Sequence, residues 1–348
     1  MATPRQAKTN AGRFFEDYSL GDVIRHAVPR TVSGGERALY HALYPARHAM
    51  YSSDEFARRS GLPQAPLDDL AAFHIVFGKT VPDISLNAVA NLGYAEGHWH
   101  LPVYMGDTLR AESEVIGLKQ NSNGKTGVVW VRTRGLNQRD DTVMEYVRWV
   151  MVRKGDPAAA APETVVPALA GAIEPAQLTV PAGLDFSTYD FSLAGEPHRW
   201  GDYEIGETID HVDGVTVEEA EHMLATRLWQ NTAKVHFDTT ARPDGSRLIY
   251  GGHVISMARA LSFNGLANAQ MIVGLNGGAH ANPCLAGTTI RAWSEVLDKA
   301  ETAAPGVGAI RLRLVATSGG APFCLRTEEG KYCPEVLLDL DYWALMPL

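Results

Sequence analysis

Apolar and polar positions fall into three patterns along the chain. The first is strict alternation. "TGVVWVRTRGL" and "DTVMEYVRWVMVRK" alternate on either side of the turn "NQRD", which predicts an antiparallel hairpin. "GVGAIRLRLVATS" and "KYCPEVLLDLDYWALM" repeat it near the C-terminus. The second pattern is apolar throughout. "DDLAAFHIVFGKTV" and "GGHVISMARALSFNGLANAQ" predict two long buried helices. The third is amphipathic. "TVEEAEHMLATRLWQ" predicts a helix capped by Thr216, with Glu218, Glu219 and Glu221 favouring its N-terminus. Long helices followed by long antiparallel strands place the chain in the α+β class.

The order of elements occurs twice. "EDYSLGDVIRHAVPRTVSGGERALYHAL" is echoed by "GDYEIGETIDHVDGVTVEEAEHMLATRL", with Asp17 and Asp202 standing 185 residues apart (17 to 202). "MGDTLRAESEV" is echoed by "AGTTIRAWSEV" at a spacing of 181 residues (106 to 287). Two echoes in the same order predict a duplicated unit. Between the copies, residues 155–184 are rich in Ala and Pro and nearly uncharged, so they form neither a continuous helix nor a central strand. The expected organisation is a first half over 1–154, an extended surface linker over 155–184 and a second half over 185–348.

Composition narrows the function. With 348 residues and 45% hydrophobic content the chain can bury a full core. A net charge of −9 argues against a nucleic-acid surface. No run is long and apolar enough for a transmembrane helix, and the N-terminus has no signal-like apolar segment, so a cytoplasmic protein without a membrane partner is expected. Three cysteines, Cys284, Cys324 and Cys333, lack metal-ligand spacing and read as reduced thiols. "EGHWHLP" with His98 and His100 reads as a strand edge rather than a metal pair, and "GLNGG" as a turn rather than a phosphate loop.

The stretch most promising for chemistry is "LWQNTAKVHFD", which sets Gln230 and Asn231 five to six residues before His236 and puts Asp238 after it. It resembles the Asp-x-Asn-Pro-x-His motif, followed by x-Asp, of the MaoC-like or hydratase 2 family of enoyl-CoA hydratases. On that register Asn231 falls on the motif's aspartate, Ala233 on its asparagine, Lys234 on its proline and His236 on its histidine. "LIYGGHVIS" falls where the family's long helix begins. Longer stretches in both halves, among them "FHIVFGKTVPDISLNAVANLGYAEG" and "LIYGGHVISMARALSFNGLANAQ", resemble the mesaconyl-CoA hydratase (β-methylmalyl-CoA dehydratase) family within it. The resemblance implies a tandem hotdog fold, each half a sheet wrapped round a long helix. It implies reversible syn addition of water to mesaconyl-C1-CoA in acetate assimilation by the ethylmalonyl-CoA pathway. It further implies an acyl-CoA substrate, no cofactor and a homo-oligomer.

An amide cannot take a proton, so Asn231 is expected to orient water, with Gln230 in support, while His236 is the base. Tyr250, Gly251 and Gly252 are expected to bind substrate, a glycine N–H at the helix start meeting the thioester oxygen. Arg47, His48, Lys79 and Lys234 are candidates for the substrate's free carboxylate. The first copy carries Ala46 and Tyr51 at the positions of Asn231 and His236, so one working site per chain is expected. The competing readings are a thioesterase, which would need an acid on the buried helix of the second half, and a non-catalytic acyl-CoA-binding module.

Overall fold

The computed structural model describes residues 8–320 and 323–348. In the first half the chain runs through β1 (Val23–Thr31), α1 (Gly34–Leu43), α2 (Ala49–Ser52), α3 (Asp54–Arg59) and α4 (Asp69–Thr80). Strands β2 (Ala88–Trp99), β3 (Thr108–Gln120), β4 (Thr126–Leu136) and β5 (Thr142–Arg153) complete it. The second half runs through α5 (Phe191–Ala194), β6 (Thr208–Thr216), α6 (Glu219–Leu228), α7 (Lys234–Phe237), α8 (Gly251–Leu261) and α9 (Phe263–Leu266). It closes with β7 (Met271–His280), β8 (Thr289–Glu301), β9 (Val307–Thr317) and β10 (Val336–Pro347).

The strands form one sheet in the order β1-β3-β4-β5-β2-β7-β10-β9-β8-β6. Exchanging each strand for its counterpart in the other half reverses this order onto itself. A pseudo-two-fold axis therefore passes between β2 and β7, where Tyr94 faces Gly278 and Gly97 faces Leu275 in antiparallel register. Each half is a sheet wrapped round a buried helix, which is the tandem hotdog architecture. Every residue of α4 is buried, as is all of α8 from Gly252 onward. Large apolar residues on these helices, such as Phe73, Val76, Ile255 and Met257, share one continuous core across both halves. Each such side chain contributes about 1.5–3 kcal/mol by leaving water, so neither helix would stay sheathed without its sheet.

Several local expectations are corrected. Thr216 does not cap α6; it ends β6 opposite Thr289, hydroxyl to hydroxyl at 2.8 Å, and Glu218 occupies the N-cap. In the first copy Ser33 is the cap, closing a capping box with Glu36. The apolar run from Gly251 is not one helix. Asn264 and Gly265 leave helical geometry, and Gly265 at φ +95° turns the chain toward β7. "GLNGG" is not a turn but the middle of β7, and its glycines let β2 and the linker pack closely against the strand. Cys324 and Cys333 are not free thiols. The excursion before β10 doubles back through an Arg326–Tyr332 bridge, brings their Cα atoms to 6.3 Å and joins them in a disulfide, leaving Cys284 free. The 155–184 segment does not run wholly over the surface. Val165 pairs with Leu118, and Ile173 and Leu184 are buried, Ile173 accepting from the Trp343 indole at 3.2 Å. No helix among the described residues is long and apolar enough to cross a membrane.

Candidate active site

The loop after α6 is built by contacts from the other half. Trp229 is buried, and its indole donates to the Tyr44 hydroxyl at 3.1 Å. Its carbonyl lies where a Cβ on Gly78 of α4 would sit, 1.7 Å away, so only glycine at 78 admits this turn. Gln230 then takes a left-handed φ of +56° and reverses the chain. Asn231 follows, buried, with its N–H on the Thr226 carbonyl at 2.9 Å and its Oδ1 accepting from Ala233 N–H at 3.2 Å. With Oδ1 committed to the turn, Nδ2 is the amide's free donor.

The single turn of α7 carries His236. Its Nδ1 lies 2.7 Å from the Leu248 carbonyl. A carbonyl can only accept, so Nδ1 carries the proton and Nε2 is left as the ring's acceptor. Burial holds this imidazole below its ordinary pKa of 6.5, partly offset by the Leu248 bond. It is therefore neutral at pH 7, the state a base requires.

The start of α8 is shaped by two glycines. A Cβ on Gly251 would meet the His280 ring at 2.3 Å, and one on Gly252 the Tyr250 ring at 2.4 Å. Tyr250 N–H donates to His222 Nε2 at 2.8 Å, which ties the helix entry to α6. The next N–H groups belong to the first turn, where helix hydrogen bonding leaves donors unpaired and the helix dipole favours negative charge. The Tyr250 hydroxyl lies 3.2 Å from His74 Nδ1 on α4, and His74 Nε2 lies 2.7 Å from the Ser256 hydroxyl, so both central helices fix this ring.

A cavity of ≈ 270 Å³ between the halves is lined by part of this set. The structure brings His236, Asn231, Tyr250 and Gly251 together in its wall. It does not bring the other candidates there. Gln230 is exposed, and Gly252 lies beneath the Tyr250 ring. Arg47 is exposed and stacked on Phe263 at 4.4 Å, and His48 is buried against the same ring. Both belong to the first copy's own α2 entry, which packs against α9 and not on the cavity. Lys79 is tied to the Val28 carbonyl, Lys234 is exposed, and Asp238 caps the turn at Thr240. His98 and His100 stack on each other at the C-terminal end of β2, an interior strand rather than a sheet edge, with His100 3.8 Å from Glu145.

Six further polar residues stand in the wall that were not among the candidates: His280, Tyr94, Arg148, Asn91, Ser85 and Asn282. His280 Nε2 lies 3.3 Å from the Tyr94 hydroxyl. Arg148 did leave a signal. It shares the phase of Tyr146, Val150 and Val152 on β5, the buried face, where an arginine is out of place.

The first copy shows what became of the equivalent place. Tyr51 on α2 stands where α7 has His236, and Asp69 opens α4 where Gly251 opens α8. The Tyr51 hydroxyl donates to Asp69 Oδ2, which also accepts Ile272 N–H at 2.8 Å. The pair fills the space with side chains, and burial pushes the Asp69 carboxyl up to about 8.

Comparison with known proteins follows the same line. The family model for mesaconyl-CoA hydratase matches residues 2–320. The chain is 77% identical over 341 residues to a mesaconyl-CoA hydratase of Cereibacter sphaeroides, covering 98% of this chain and 99% of that one. It is 57% identical to a β-methylmalyl-CoA dehydratase of Chloroflexus aurantiacus, again over 98% and 99%. A crystal structure of a MaoC domain protein dehydratase from Chloroflexus aurantiacus superposes with a TM-score of 0.96, at 57% identity over 98% of this chain and 99% of that one. A Mycobacterium tuberculosis protein with a double hotdog fold gives 0.73 at 24% identity, over 96% and 98%, a likeness of fold alone.

Proposed function

The chain belongs to the mesaconyl-CoA hydratase family, and from that premise we propose that it adds water reversibly to mesaconyl-C1-CoA to give β-methylmalyl-CoA. It is a hydro-lyase, and its substrate is a CoA thioester. In the proposed reaction His236 Nε2 takes a proton from water as the oxygen attacks the β-carbon. Asn231 Nδ2 donates to that oxygen and holds it in line. Gly251 N–H receives the charge that develops on the thioester oxygen. The imidazolium then returns its proton to the α-carbon on the same face, so one base serves both ends of a syn addition. A positioned base is worth roughly 10²–10⁴ in rate, and an oxyanion donor about 10²–10³.

The observation that carries this reading is the tether of His236 Nδ1 to the Leu248 carbonyl, which leaves Nε2 basic in a wall shared with Asn231 and Gly251. Asn231 in place of the family motif's acid fits a single-base mechanism, because an amide can hold water but not take its proton. The thioesterase reading finds less support. The α8 sequence "GGHVISMARAL" has no acid, and Asp69 at the start of α4 is closed off by Tyr51 and Ile272. A cofactor-free, homo-oligomeric enzyme belongs to the same proposal and rests on the resemblance alone, while a cytoplasmic location rests on the apolar patterning of the sequence. The test is incubation with mesaconyl-C1-CoA and mass analysis of the product. A gain of one water with the thioester intact supports hydration; release of free CoA thiol would establish thioesterase action instead.

A further inference from the structure

We propose that Arg148, with Asn91 and Ser85, forms the subsite for the substrate's free carboxylate; this deepens the hydratase reading and rests on it. Arg148 is fully buried on β5. Its one hydrogen bond among the described residues runs from Nη2 to the Thr80 hydroxyl at 2.7 Å, and its Cζ lies 4.4 Å over the Phe77 ring. Nε and Nη1 have no partner among the described residues. A guanidinium does not lose its proton, and a buried charge without a counter-ion is costly, so folds keep one where it meets an anion.

A second observation points to the same place. Asn91 Nδ2 and Oδ1 and Ser85 Oγ are also buried without partners among the described residues, and both residues line the same cavity as Arg148. Buried polar groups are nearly always paired, so a concentration of unpaired ones in one cavity wall marks a missing ligand. The free groups of Arg148, Asn91 Nδ2 and the Ser85 hydroxyl can all donate, against the single unpaired acceptor Asn91 Oδ1, and this excess of donors selects an anion rich in acceptor oxygens. The Arg148 fork suits a carboxylate.

Register places the subsite at the right remove from the chemistry. Arg148 on β5 lies opposite Tyr94 on β2, and Tyr94 lies opposite Gly278 on β7, two residues before His280. Across one face of the sheet the order is thus Arg148, Tyr94, His280, with His280 resting on Gly251. Two strand steps span about 10 Å. A diacid with a four-carbon backbone, held by its thioester at Gly251, bridges that gap once the length of the arginine side chain is included. All three subsite residues come from the first half, while His236, Asn231 and Gly251 come from the second.

The test compares mesaconyl-C1-CoA with tiglyl-CoA, which has a methyl in place of the carboxylate. Sites built to pair a polar substrate group reject analogues lacking it by up to roughly 10⁴. Wild-type protein should favour mesaconyl-C1-CoA by at least about 10²-fold in kcat/KM, and Arg148→Met should cut that ratio at least about 10²-fold. Asn91→Leu, which leaves the charge in place, should cut the ratio by roughly tenfold and serves if the arginine variant fails to fold. A wild-type enzyme that hydrates both esters equally would overturn the dicarboxylate substrate itself. A selective wild type whose ratio survives both substitutions would overturn the Arg148 subsite and leave the hydratase reading standing.

Discussion

Gly78→Ala tests how one half holds the loop of the other that carries the proposed catalytic groups. The added Cβ would sit 1.7 Å from the Trp229 carbonyl oxygen and 2.9 Å from its carbon. The obstructing atoms are backbone, so no rotamer change relieves the clash. Ordinary contact begins near 3.4 Å, so α4 and the 229–231 turn must separate by more than an ångström. Overpacking of this kind costs about 1–3 kcal/mol. The displaced segment carries Asn231 and leads to His236, and a misplacement of about 1 Å costs roughly 10²-fold in rate. Gly34→Ala is the control: nothing lies within 4 Å of its Cβ, at the first position of α1, so it should be neutral or stabilising by about 0.4–1 kcal/mol. Both variants would be followed by thermal denaturation and by hydration rate. A Gly78→Ala enzyme with wild-type melting and rate would refute the claim that α4 positions the loop.

Asn231→Asp restores the motif's acid beside His236; a nearby carboxylate favours imidazolium, so the acid limb of the kcat/KM profile should move to higher pH. Gly251→Ala would press a methyl to 2.3 Å from the His280 ring and shift the proposed oxyanion donor, with kcat expected to fall roughly 10²–10³-fold. The folded-state pKa of Asp69, near 8, lies above its ordinary value of 3.8, so its protonated form is favoured by folding. That contribution is present below pH 3.8 and is lost as pH rises toward 8, so Asp69→Asn should flatten the decline of melting temperature across that window.

Much of this was legible in residue patterns. The echo of β1 and α1 in β6 and α6 at a constant spacing announced the duplication, because copies of a unit keep their turn and core residues. His236, Asn231, Tyr250 and Gly251 were legible because they sit on short local segments with a recognisable order. What escaped depends on contacts between distant segments. Arg47 and His48 are near the loop's counterpart in sequence, yet α2 points them to α9. Arg148, Asn91 and Ser85 come together only because β2 and β5 pair and the turn after α4 folds beside them. The Cys324–Cys333 bridge needed the fold-back that precedes β10. Gly78 is a lone glycine in an apolar helix, and its role appears only when the other half's carbonyl is in place.

The measurement that bears most directly on the central claim is the hydration rate of His236→Gln with mesaconyl-C1-CoA, taken alongside its melting temperature. The substitution removes the proposed base and leaves the cavity, Asn231 and Gly251 in place. The account predicts a folded enzyme slowed roughly 10²–10⁴-fold, with no compensating release of CoA thiol. A folded His236→Gln protein within about tenfold of the wild-type rate would contradict it, because water would then be activated by another group.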